Sequence, residues 1–134
     1  MIAAMIAALA LWLSADPVAD PRLDLLPPQD LPPGQCALAL WDITSRTRIA
    51  MVSNAGLTLV LDGATLLLAP DASPDTNAIA PEAGYSNGQV SARHQLNLEP
   101  GASRNGTVTE GVLAVRRADG AALVIPVTGL VGCG

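Results

Sequence analysis

The sequence predicts an all-β domain, an antiparallel sandwich or small barrel of about seven strands, preceded by a Pro-rich arm. Three observations carry this reading. Short apolar or alternating runs recur from residue 36 to residue 130, bounded by Gly, Asn and Asp. Two Asp-Gly pairs, Asp62-Gly63 and Asp119-Gly120, each separate two such runs. Asp-Gly in that setting marks a hairpin, because type I′ turns need positive φ at both central residues. No stretch after residue 15 places apolar residues at the spacing of an amphipathic helix.

Residues Met1 to Leu13 (MIAAMIAALALWL) contain no charged side chain. The run suits the apolar region of a signal peptide and falls short of the ~20 residues that span a bilayer. Residues 1–15 are therefore expected to be a signal peptide, cleaved after Ala15, although no Lys or Arg precedes the run. Residues 16–34 hold Pro17, Pro21, Pro27, Pro28, Pro32 and Pro33, and repeat Leu-Pro-Pro. Proline lacks the donor a ladder needs, so an extended arm or spacer is expected. Leu23, Leu25, Leu26 and Leu31 would be its apolar contacts to a partner, leaving the arm dispensable for folding.

Residues 35–134 form one domain. Its expected strands are Cys36–Asp42, Thr47–Ser53, Leu57–Leu61, Ala64–Ala69, Gln89–Leu98, Thr107–Arg117 and Ala121–Leu130. The fifth alternates most cleanly, with Val90, Ala92, His94, Leu96 and Leu98 on one face. Pro126 interrupts the last strand and demands an edge or a bulge there. That tilts the expectation from a closed barrel towards a sandwich.

Cys36 and Cys133 are an even pair, as oxidising compartments favour. Bridging them would close a loop of about 100 residues, worth up to ~4.7 kcal/mol in the chain-entropy model. Their wide spacing lacks the close ligand pairs of a zinc site.

Chemistry is sparsely supplied. The 134 residues carry 12 acidic and 7 basic side chains, a net charge of −5, and every basic residue is Arg. That balance opposes nucleic acid and anionic membrane surfaces, both of which select cations. Trp12, Trp41 and Tyr85 are too few for stacking platforms. His94 is the single His; no G-x-S-x-G motif supplies it with a nucleophile, so it reads as a packed core residue. Asp71, Ser73, Asp75, Asn77 and Glu82 have the ligand spacing of a calcium loop. The fit is weak: Thr76 stands where the turn needs Gly, and Pro74 and Pro81 stiffen the loop. Asn87-Gly88 and Asn105-Gly106 read as turns.

These features imply a periplasmic or secreted, disulfide-bonded, non-enzymatic binding or accessory protein without a cofactor. Its partner would be another envelope or secreted protein, met through loops or an open sheet edge. The alternatives are an inhibitor of a secreted protease and a structural subunit of an envelope assembly. A small hydrolase using His94 is the weakest reading.

Overall fold

The computed structural model describes residues 19–31, 33–72, 79–99 and 106–133. The described residues form nine strands and no helix: β1 (Leu23–Asp24), β2 (Cys36–Asp42), β3 (Arg48–Ser53), β4 (Gly56–Leu61), β5 (Ala64–Pro70), β6 (Glu82–Ser86), β7 (Val90–Leu98), β8 (Gly106–Arg117) and β9 (Ala122–Cys133). Strands β2 to β9 run up and down in sequence order, every neighbouring pair antiparallel. Pairing of β9 with β2 closes them into an eight-stranded barrel, and β1 adds to β4.

Alternation builds the interior. Along β7, Ala92, His94 and Leu96 are buried, while Ser91, Arg93, Gln95 and Asn97 are exposed. Leu38 and Leu40 of β2, Leu57 and Leu59 of β4, and Leu113 and Val115 of β8 meet in the middle. Eight strands leave room for little more than side chains, so the lumen is a packed core. Burying each Leu contributes roughly 1.5–3 kcal/mol.

Closure, where the sequence tilted towards a sandwich, has a local explanation at Pro126. A strand residue points its N–H and C=O to the same neighbour. The Pro126 carbonyl accepts a hydrogen bond from Ile43 N at 3.1 Å, just past the end of β2. The missing N–H thus faces the β2–β3 turn and costs β8 nothing. The bulge that closure requires lies in β8 instead, where the register with β9 shifts between Val108 and Gly111.

The turns follow their residues. Asp62 (φ 52) and Gly63 (φ 85) both have positive φ, as the type I′ expectation requires. The second Asp-Gly differs: Gly120 alone is positive (φ 89), Gly120 N donates to Arg117 O, and Arg117 N to Ala121 O. That is a three-residue loop with Gly at the left-handed position.

Cys36 and Cys133 are bonded and stand directly opposite across β2 and β9, with Cα atoms 3.9 Å apart. That is closer than the usual ~4.4–6.8 Å. Counting from the hydrogen-bonded Ile43/Pro126 pair puts them at a non-hydrogen-bonded position, where paired Cα atoms come nearest.

The arm also departs from expectation. Leu23 and Asp24 pair with Leu61 and Val60, continuing the wall where β3 stops. Leu26 is fully buried, and its N–H donates to Arg48 O at 2.9 Å. The Arg48 guanidinium donates back to the Leu26 carbonyl. From Arg22 to Leu26 the arm is part of the barrel, because two non-proline residues suffice to pair with an edge of β4 left bare.

Candidate functional site

Three places could carry function: the polar pair inside the barrel, the charged cluster across one mouth, and a bare edge of β5.

Inside, the Tyr85 hydroxyl lies 2.9 Å from His94 Nε2, and both side chains are buried. Burial in the apolar core pushes the His94 pKa down to about 4, against a smaller opposing pull from the Pro81 carbonyl. Burial, helped by the Asp71 charge, pushes Tyr85 up to about 12. At neutral pH the pair is therefore an uncharged imidazole and a protonated phenol. Among the described residues, His94 Nδ1 has no hydrogen-bond partner. A general base needs a nucleophile in reach. Ser91 points out of the barrel, and Ser53 and Ser86 lie at strand ends. Asp62 is engaged elsewhere.

That engagement spans a mouth of the barrel. The β4–β5 turn carries Asp62, and β8, on the opposite wall, ends in Arg117. Asp62 Oδ2 accepts from Arg117 Nη1 at 2.9 Å, and Oδ1 accepts from Arg22 N at 2.9 Å. Arg117 also pairs with Asp119 and donates to the Ala19 carbonyl. The Arg117 hydrogen bond, then the Arg22 amide, hold the Asp62 carboxyl below its ordinary pKa. The β4–β5 hairpin is thereby tied over the mouth with the arm.

Tying the hairpin there leaves an edge. β5 pairs with β4 from Ala64 to Leu68, but β6 meets only Ala69 and Pro70 before turning back at Asn87-Gly88. About four residues of β5, ~13 Å of strand, project beyond β6. Ala64 and Leu61 close a two-residue hairpin, so alternation aims the N–H and C=O of Thr65 and Leu67 away from β4. Those main-chain groups have no partner among the described residues. Thr65 is exposed, and so is Leu67, at 55%. Between Ala64 and Pro70 there is no charged side chain. Natural edges are usually blunted by charge, proline or cover.

The other sequence-derived candidates fare as follows. Of the arm leucines, Leu26 is core, Leu23 packs against the core, Leu31 is half-buried and Leu25 is exposed. The structure does not gather them into one recognition surface. Of the calcium set, Glu82 takes Arg93 in an ion pair at 2.7 Å, and the Asp71 side chain lies over Gly84. Ser73, Asp75 and Asn77 lie outside the described residues, as do the signal segment and Asn105. Among the described residues no group of three His, Cys, Asp or Glu side chains could hold a metal ion. The edge of β5 was missed in the sequence because an uncharged run reads as a central strand. Its one signal is Pro70, which cannot donate to a ladder.

No protein-family model matches the chain, and no curated protein or solved structure matches it.

Proposed function

We propose that the protein is an exported, non-enzymatic accessory domain that takes an extended segment of another envelope or secreted protein onto the open edge of β5. The observation that carries this reading is the pair of main-chain donor–acceptor sites at Thr65 and Leu67, unpaired among the described residues, on an exposed and uncharged strand. An added strand would form up to four hydrogen bonds there, and the exposed Leu67 would select an apolar side chain beside it. The disulfide supports an oxidising compartment. Enclosure of His94 with Tyr85 supports binding over catalysis, since neither group is offered to a substrate. With Arg22–Leu26 docked on the barrel, recognition is assigned to β5 and not to the arm.

Proline substitution tests this directly. Thr65→Pro removes an N–H that β4 does not use, so the barrel is expected to stay folded. Cross-linking in the native envelope should capture a partner with wild-type protein and lose it with Thr65→Pro. Equal capture by both, with unchanged circular dichroism, would refute the edge as the docking site.

A further inference from the structure

We propose that the protein forms a two-fold dimer through the outer face of β8 and β9. This face is three strands round the wall from β5 and independent of the edge. Its outward residues are Glu110, Val112, Ala114 and Arg116 on β8, and Ala122, Val124, Pro126 and Leu130 on β9. Val124 is 65% exposed, Leu130 55% and Val112 39%. Ile43, bonded to Pro126 and 45% exposed, extends the patch. Contiguous exposed apolar surface of this kind marks an interaction site more often than chance placement does.

The occupant is argued from self-complementarity. A shallow trough of about 340 Å³ runs over the small residues Ala114, Ala122, Ser91 and Gly84, with Val124 and Arg116 beside it and Asp71 and Arg93 also lining it. Val112 stands one outward step along β8 from Ala114. A two-fold axis lying in the face, across the strands at the level of Leu113, reverses the strand direction in the second copy. Val112 of each copy then faces Ala114 of the other, so a bulky side chain enters the other copy's trough. The same operation sets Val124 against Pro126, and Arg116 against Glu110. Each contact occurs twice, as a closed two-fold interface requires. Arg116 and Glu110 are both exposed, and neither makes an ion pair among the described residues. Cation and anion are therefore free to meet across the axis, with apolar residues between them. Two sheets packed this way sit ~10 Å apart. The β5 edges would remain open on the far sides of the pair, giving the dimer two docking edges and the avidity that comes with them.

Sedimentation equilibrium of the disulfide-bonded protein at up to about 0.2 mM tests the proposal, because a functional weak dimer populates in that range. The expected result is a dimer mass for wild type and for Thr65→Pro. Val124→Glu should be monomeric with an unchanged melting temperature, since Val124 is exposed in the monomer. Arg116→Glu should weaken association about tenfold or more by placing like charges together. The double variant Arg116→Glu/Glu110→Arg should recover it, which a merely disruptive change would not do. A monomeric wild type over the whole range would overturn the proposal. So would a double variant no better than Arg116→Glu alone. Neither result would bear on the β5 edge, whose partner capture is read separately.

Discussion

Leu26 is the sharpest test of how this barrel is held together. It lies in a proline-rich segment, yet it is fully buried. Its main chain makes one bond to Arg48 O, and its carbonyl takes two from the Arg48 guanidinium at 3.0 and 3.3 Å. Leu26→Ala leaves those bonds available and removes only the buried isobutyl group. Buried Leu→Ala changes cost ~2–5 kcal/mol, the range reflecting how far neighbours relax into the space. Leu26 lies on the flank of the core, where collapse is easier, so ~2–3 kcal/mol is expected. That is a large share of the ~5–15 kcal/mol that stabilises an ordinary domain. Leu25, its exposed neighbour, is the control, and Leu25→Ala should stay within ~0.5 kcal/mol of wild type. Urea denaturation followed by far-ultraviolet circular dichroism measures both. If Leu26→Ala and Leu25→Ala unfold at the same midpoint, the arm is not part of the core. A chain starting at Gln35 should lose stability along with β1 and Leu26, the opposite of what a free spacer would do.

Gly56 (φ 132) faces the β5 backbone, and a Cβ there would come 2.0 Å from Leu68 O, so Gly56→Ala should fail to accumulate as folded protein. Gly63 has open space, so Gly63→Ala should cost only the ~1–2 kcal/mol of a left-handed residue; equal melting temperatures for the two variants would contradict this. Cys36→Ser/Cys133→Ser removes a bridge between residues 97 apart, and urea denaturation should show a loss of ~2–5 kcal/mol, with no free thiol in the wild type. His94 titrates in the unfolded chain near its ordinary 6.5 and in the barrel at about 4, so the unfolded state binds the extra proton between those values. Its contribution is whole above pH 6.5 and falls away towards pH 4, by ~3 kcal/mol at most. His94→Gln should flatten the stability profile in that window, and an unchanged slope would show that another group sets it.

Local chemistry made most of the strands legible and left the closure hidden. The β7 alternation, the Asp62-Gly63 turn and the Cys36–Cys133 pairing are each written in residues near one another or in a single even pair. β6 was invisible because Glu82, Gly84 and Ser86 dilute its apolar signal, and its strand status comes from pairing with β7. β1 was invisible because it is two residues long and surrounded by prolines. Pro126 was read correctly as a missing donor, but the direction that donor would have faced is a property of register, which no local pattern encodes. His94 as a core residue followed from its place in the β7 alternation. The Asp62–Arg117 tie and the open run of β5 depend on how far each hairpin projects, a quantity set by the stagger of the whole barrel.

The two non-uniform seams of the wall give the molecule a preferred way to come apart. Between β2 and β9, seven residue pairs and the disulfide join the strands most distant in sequence. Between β5 and β6 the ladder has two pairs, one of them at Pro70, with Asp71 N adding a bond to Gly84 O. Sub-global opening starts where protecting hydrogen bonds are fewest. Amide protons of Ser86 and Asp71, which bond across the β5–β6 seam, should therefore exchange with deuterium well before those of Ala37 and Ala39, which bond across β2 and β9. An opening there would lengthen the bare edge of β5 from Thr65 through Ala69 without breaking the covalent ring, so an incoming strand could invade the wall and displace β6 instead of stopping at Leu67.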